Sequence, residues 1–177
     1  MRIFLDQVRR EPVSWDEEVR VRAEELGRDE VVELSPVRWR GRVSRAEVDE
    51  EEGFYLSAHL AYEQGLACQR CLEPVRQPVA AEVRLLLVRD APQPMEGDHQ
   101  LDEEDLGIVH LESDAFDTRP LLLEQMQLAV PMRSLCREGC KGLCPHCGTN
   151  LNRGRCDCED DWVDPRWAAL AKLKAES

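Results

Sequence analysis

The stretch "VRWRGRVSRAEVDEEEGFYLSAHLAYEQGLA", residues 37–67, decides the fold class. In its first part Val37, Trp39, Gly41 and Val43 alternate with Arg38, Arg40 and Arg42, the period-two pattern of a strand with one buried and one wet face. In its second part Phe54, Leu56, Ala58, Leu60 and Tyr62 point one way and Tyr55, Ser57, His59 and Ala61 the other. The acidic run Asp49, Glu50, Glu51, Glu52 with Gly53 between them reads as a hairpin turn. Downstream, "VRQPVAAEVRLLLVRD" (75–90) is a third long strand, with Pro78 marking an edge or a bulge because proline cannot donate to a ladder. The three strands form an antiparallel meander.

Upstream, "SWDEEVRVRAEELG" (14–27) carries two signals. Ser14 with Glu17 has capping-box spacing, yet Val19, Val21 and Ala23 alternate. The reading is a strand over 16–22 and a short helical turn ending at Gly27. After the meander, "APQPMEGDHQLDEED" (91–105) is loop, its prolines, glycine and acids offering nothing to pack. "GIVHLE" (107–112) is a short strand. Asp117 or Thr118 then caps a helix with Pro120 in its first turn, an apolar face of Leu121, Leu122, Met126, Leu128 and Ala129, and Pro131 as its stop. "DPRWAALAKLKA" (164–175) closes the chain as a helix with Asp164 as cap and Pro165 at its first position. The fold class is α+β: a β-rich body over 1–131, with an acidic loop at 92–106 and a helix at 119–130, and a cysteine-rich tail over 132–177 ending in a helix.

Composition bounds the function. The 177 residues are 42% hydrophobic, enough for a real core. No apolar run nears the ~20 residues of a membrane span, and "MRIFLDQVRREP" lacks a secretory apolar stretch, so a cytoplasmic protein without membrane partner is expected. The net charge of −13 argues against a general nucleic-acid-binding surface. Residues 136–177 balance seven bases against seven acids, so the surplus acid lies upstream and peaks in 96–117, where nine Asp and Glu meet no Lys or Arg. Such a run is either a solvated loop or a surface that receives a basic partner, for which a ribosomal protein is the obvious candidate.

Six of the eight cysteines fall within residues 136–158. In a reducing compartment metal binding explains them better than disulfides. Cys144-Pro-His-Cys147-Gly148 has knuckle spacing: two intervening residues let both sulfurs face one tetrahedral ion, and the glycine permits the tight turn. Cys136 and Cys140 before it, and Cys156 and Cys158 after it, supply the remaining ligands in more than one sterically possible choice. A single structural zinc with two thiols left over is expected ahead of a six-thiolate two-metal cluster. His146 points away. An all-cysteine set suits a closed structural site rather than a catalytic one, and a glycine-rich tail this short needs a cross-link to fold.

The pair Cys68 and Cys71 also has C-x-x-C spacing and is open to three readings: a redox couple, a second metal half-site, or packed thiols. The redox reading ranks lowest, since the pair feeds another strand rather than a helix. Arg70 between them either donates to a backbone carbonyl or offers its fork to an anion. Lys141, Arg153 and Arg155 form the one local basic stretch, 141–155, too sparse to hold RNA strongly by itself. No nucleophile, base and acid converge, so no enzymatic activity and no small-molecule substrate are expected.

"CQRCLEPV", "LCREGCKGLCPHCGTNLN...CDC" and "DPRWAALAKLK", in that order, resemble the YceD-type family of large ribosomal RNA subunit accumulation proteins. The resemblance spans three blocks within 68–174 and marks Cys68, Arg70 and Cys71, then Cys136, Cys140, Cys144, Cys147, Cys156 and Cys158, then the Asp164-Pro165-Arg166 turn. It implies a non-enzymatic cytoplasmic factor needed for accumulation or processing of large-subunit ribosomal RNA. Such a factor would bind a basic ribosomal protein or assembly partner through its acids, with Lys141, Arg153, Arg155 and Arg166 free to touch the partner or, indirectly, RNA. The rival expectations are a metal- or thiol-dependent enzyme acting on ribosomal RNA, and a direct RNA-binding zinc protein.

Overall fold

The computed structural model describes residues 1–48, 51–89 and 107–158. Its centre is the ribbon read above: β4 (Val37–Val48) pairs antiparallel with β5 (Glu51–Ala67), which pairs antiparallel with β6 (Pro74–Val88). The alternation holds throughout. Val37, Trp39, Val43, Phe54, Leu56, Ala58 and Leu60 are buried, while Arg38, Arg40, Arg42, Tyr55 and His59 are exposed on the opposite face. Gly53 lies inside β5, paired with Ala46 and Val88, rather than in the turn. The pairing register continues from Phe54 back through Gly53 to Glu51, so the strands come closer to the tip than the acids suggested. Pro78 sits opposite Glu63 in an unbroken register, and on its other side β6 gains a neighbour only at Leu86–Val88; it is an edge position, not a bulge.

Two further strands complete one side of the sheet. β2 (Val13–Val19) pairs with β4, three residues earlier than the expected start, because Val13 and Trp15 join the buried face. A 3-10 turn (Ala23–Leu26) follows and ends at Gly27 in the left-handed region, as expected. β3 (Val31–Leu34) pairs with the end of β5 that β4 leaves uncovered. Between β3 and β4 Pro36 cannot donate, and Ser35 covers the join: its N–H donates to Glu63 O at 2.9 Å and its hydroxyl accepts from Glu63 N at 2.8 Å. At the other edge β7 (Ile108–His110) pairs with β6, and it runs parallel, making the sheet mixed where a purely antiparallel one was expected. A three-residue strand after a long connection carries no sequence cue to its direction.

The inner face is covered by two helices. α2 (Thr118–Leu128) starts where Asp117 caps it, its carboxylate accepting from Arg119 N at 3.0 Å, and buries Leu121, Leu122 and Met126. Leu128, assigned to that apolar face, is instead 71% exposed, because the helix ends there and the chain turns away through Ala129. Buried Gln64 donates to Ala129 O at 3.3 Å, and Gln127 donates to Leu26 O at 3.1 Å, so the end of α2 is tied to both β5 and the 3-10 turn. The second helix was not foreseen. α1 (Leu5–Arg10) packs Leu5 and Val8 into the core, held by β1 (Arg2–Phe4), which pairs antiparallel with β8 (Ala115–Asp117). The expected acidic loop at 92–106 and the terminal helix from Asp164 lie outside the described residues.

Candidate metal centres

At its far tip, the β5–β6 ribbon turns through Cys68-Gln69-Arg70-Cys71-Leu72. The turn is closed by Leu72 N donating to Cys68 O at 2.8 Å and Cys68 N donating to Glu73 O at 2.9 Å. Later in the chain Cys144-Pro-His-Cys147-Gly148 makes the same shape, with Gly148 N donating to Cys144 O at 2.9 Å. In both, the residue after the second cysteine is left-handed: Gly148 has φ +73° and Leu72 φ +59°. Glycine adopts this freely, whereas a leucine there costs ~1–2 kcal/mol, so the Cys68 turn is held by something beyond local preference.

The chain after α2 supplies that hold. Ser134, buried, donates its hydroxyl to Ala67 O at 2.6 Å, and its own carbonyl accepts from Gln69 N at 2.9 Å. Leu143 N donates to Arg70 O at 3.0 Å, and the Arg70 guanidinium donates back to Cys140 O at 2.8 Å, the carbonyl-binding role foreseen for it. Gly142 lies so close that a Cβ would sit 3.0 Å from Arg70 O. These bonds bring Cys136 and Cys140 over Cys68 and Cys71. The Cys68–Cys140 and Cys71–Cys136 sulfurs are 3.8 and 3.6 Å apart.

The eight cysteines thus divide into two groups of four, Cys68 with Cys71, Cys136 and Cys140, and Cys144 with Cys147, Cys156 and Cys158, each with its sulfurs within 4.8 Å of one another. This differs from a single centre in the tail: the six tail thiols are split two and four, and the pair from the ribbon tip completes the first group. A tetrahedral zinc with Zn–S of about 2.3 Å sets its sulfurs about 3.8 Å apart, whereas a disulfide brings them to about 2.05 Å. The two separations in the first group match the tetrahedron, those of the second lie within 4.8 Å, and both donor sets are thiols alone, so the residues fit zinc. In the first group Cys68, Cys71 and Cys140 are buried and Cys136 partly so; the second is more open, with Cys147 and Cys158 exposed. His146 is exposed and belongs to neither.

The electrostatics suit a cation. Cys68 is brought down to about 6: burial opposes its ionisation, but backbone hydrogen bonds at Cys136, Cys71 and Arg70 outweigh it. Cys71 goes up to about 12, since the help of a Glu73 backbone hydrogen bond is overruled by burial and by bonding to Cys68, Cys140 and Cys136. In the second group the Thr149 hydroxyl and backbone lower Cys147 to about 6, and Cys147 then pushes Cys158 up to about 12. Hydrogen bonding lowers Cys68 and Cys140 in the first group and Cys147 in the second, while their neighbours are held up, so a full set of thiolates forms only against a metal charge.

A polar lattice orders both groups. Asn152 accepts from Lys141 N at 2.9 Å and from Arg137 at 2.8 Å, and donates to the Cys140 sulfur at 3.3 Å. Asn150 donates to Glu73 at 3.2 Å, and Arg153 forms an ion pair with Glu73 at 2.6 Å. Of the expected basic contacts, Arg153 is therefore engaged, Lys141 and Arg155 are exposed, and Arg166 lies outside the described residues. Several acids expected for a partner are engaged too: Glu52 pairs with Arg9 and Arg45, Asp114 with Arg89, and Asp117 caps α2.

A β-rich body whose ribbon tip meets the tail in one thiol tetrad, with a second tetrad inside the tail, defines a class of small protein with two candidate metal sites. Residues 56–174 match the family model of the large ribosomal RNA subunit accumulation protein YceD. The chain belongs to this family. It is 31% identical to an uncharacterized protein of Mycobacterium tuberculosis strain H37Rv over 123 residues, 69% of this chain and 56% of the relative, so it spans little more than half the length of that relative. The uncharacterized protein YlbN of Bacillus subtilis is 28% identical over 170 residues, covering 96% of this chain and 92% of its own. The chloroplastic YCED homolog 1 of Arabidopsis thaliana, named a large ribosomal RNA subunit accumulation protein, is 26% identical over 108 residues, 59% of this chain and 34% of its own. No solved structure matches. Among the described residues no helix is long and apolar enough to cross a membrane.

Proposed function

We propose that this protein is a non-catalytic cytoplasmic factor required for accumulation of large-subunit ribosomal RNA, acting by binding a basic ribosomal protein or assembly partner. One zinc ion would hold the tail against the ribbon tip and a second would order the tail itself. Family membership carries the ribosomal part of this reading. The observation that favours binding over catalysis is the chemistry of the tetrads. Four thiols fill the coordination of one zinc and leave no position for a substrate or an activated water, and neither group includes the histidine or carboxylate usual in catalytic zinc sites.

Within the acidic run 96–117, Asp114 and Asp117 already serve the body, as Glu52 does elsewhere, so the docking role falls to the remaining acids, most of them in 96–105. The test is depletion of the protein in its host with ribosomal subunits resolved by sedimentation. Loss of large-subunit RNA, restored by the wild-type chain but not by one with residues 96–105 neutralised, is the expected result. Full rescue by the neutralised chain would refute the acidic docking surface. Metal-dependent conversion of precursor RNA by the purified chain would refute the non-catalytic reading.

A further inference from the structure

The strand register lines up an outward face that the metal centres do not use. Across β2, β4, β5 and β6 it reads Glu18, Arg38, Ala61, Ala80 in one row, Asp16, Arg40, His59, Glu82 in the next, and Ser14, Arg42, Ser57, Arg84 in the third. Below them Tyr55 lies between Ser44 and Leu86. Both helices pack on the other face, with Leu5, Val8, Leu121, Leu122 and Met126 in the core.

The charges here are arranged unequally. Arg38 takes Asp16 with both nitrogens, at 2.8 and 3.2 Å, and Arg84 takes Glu82 at 2.6 Å. That uses the carboxylates nearest the middle of the face. Arg40 and Arg42 are exposed and have no carboxylate within ion-pair distance among the described residues. In a chain of net charge −13, two same-face positions of β4 carry cations with no ion pair among the described residues, although the Asp16 carboxylate across from Arg40 feels its charge. Arg38, Arg40 and Arg42 repeat at the two-residue step of a strand, ~6.8 Å, comparable to the spacing of phosphates along an extended single strand. On either side of Arg40 and His59 lie two open depressions of about 390 and 350 Å³, floored by small residues: Ala61 and Ala80 in one, Gly41 and Ser57 in the other. Tyr55, 42% exposed, adds an aromatic ring on the same face. A cationic track beside shallow pockets and an exposed ring is the chemistry that holds single-stranded nucleic acid, whose phosphates follow the charges and whose unpaired bases enter the pockets or stack.

We propose that this outer sheet face binds a single-stranded RNA segment, with Arg40 and Arg42 on successive phosphates and Tyr55 and His59 beside the bases. The choice of RNA as the polyanion rests on the ribosomal reading above, whereas the surface does not. The net negative charge of the whole chain disfavours long-range attraction, so binding is modest, and with two phosphate contacts its salt slope is shallow.

The test is fluorescence anisotropy with a labelled 20-nucleotide single-stranded RNA and the full chain, at a series of salt concentrations. Arg40→Thr with Arg42→Thr, which keeps strand-favouring side chains at exposed positions, is expected to weaken binding at least tenfold and to flatten the salt slope by about 1.4, at ~0.7 per lost phosphate contact. Lys141→Thr with Arg155→Thr is expected to leave it within twofold. Photocrosslinking of RNA to the unaltered chain, expected on peptides containing Tyr55 or His59, reads the site without any substitution. Four results would overturn the proposal: no binding by the wild-type chain at low salt, equal binding by the Arg40/Arg42 variant, crosslinks confined to the tail, or equal displacement by a polyglutamate peptide, which would mark a site for acidic protein. RNA binding through this face with no change of ribosomal RNA on depletion would uphold the surface and refute the ribosomal role, so the two failures are separable.

Discussion

The two tetrads differ in what they cross-link, and Cys71→Ser measures the difference. The first group joins the ribbon tip to a segment 65 residues later, the separation of Cys71 and Cys136. In the chain-entropy treatment a cross-link closing a loop of that length stabilises the folded state by about 4 kcal/mol, a large share of the ~5–15 kcal/mol of a typical domain. The second group closes only the stretch from Cys144 to Cys158, worth about 3 kcal/mol, and it orders the tail without reaching the sheet. Wild-type protein, purified without chelator, is expected to contain two zinc ions per chain by elemental analysis. Cys71→Ser should retain one and melt about 8–16 °C lower by the β signal in circular dichroism, at ~2–4 °C per kcal/mol for a chain of this size. Cys158→Ser should also retain one, with the main sheet transition nearly unmoved. One zinc in the wild type with Cys71→Ser unchanged, or an equal fall for both variants, would refute the division into a body-linking and a tail-ordering centre.

Three further outcomes follow from local geometry. Gly148→Ala should destabilise the tail by about 1 kcal/mol on backbone grounds alone, since nothing lies within 4 Å of the added methyl, while Leu72→Gly, at a 66% exposed side chain, should be neutral or slightly stabilising; zinc-release rates with a chelator read both. Gly41→Ala should destabilise the sheet by at least ~1–3 kcal/mol in urea unfolding, because its Cβ would fall 2.3 Å from Trp15 Cζ2 and 2.9 Å from Ala58 Cβ, both in the core. Glu25 is held below the usual carboxylate range by the Arg22 backbone and then by Arg119. A lowered carboxylate contributes stability above its unfolded pKa and loses it as pH falls through the folded one. Glu25→Gln should therefore lower stability at neutral pH and flatten its decline below pH ~4.5, seen as a smaller shift of the melting temperature on acidification.

The sheet was legible because its strands are long. Alternation over Val37–Val43 and Phe54–Tyr62 leaves one orientation that buries the apolar set, and the Asp117 cap and the Gly27 stop are signals contained within a few residues. What escaped depends on distance. β1 and β8 have three residues each, too few for a period, and meet across more than a hundred positions. The parallel direction of β7 is likewise set by where the chain re-enters, which no local pattern records. At the metal centres the spacing identified the ligands but not their partition. Cys136 and Cys140 are nearer in sequence to Cys144 than to Cys71, and only the docking of Ser134 and Leu143 onto the ribbon tip reverses that preference. The available sign was arithmetic: eight thiols make two complete tetrahedra, and two C-x-x-C turns make one nucleus for each. The unpaired Arg40 and Arg42 were visible as a strand face, but not that Asp16 and Glu82 would be claimed by their neighbours.

The distance between Cys71 and Cys136 also has a meaning in time. A ribosome adding ~5–20 residues per second needs roughly 3–13 s between them. Through that interval the β5–β6 ribbon can form while its tip presents two thiols and no complete site. Leu72 sits in a conformation it does not favour, so the half-made turn is not self-sustaining. The centre can close only when Cys136 and Cys140 have emerged and the segment around Ser134 has folded back. A metal held at the ribbon tip would therefore record that synthesis passed residue 140, whereas a chain broken off earlier carries an open thiol pair.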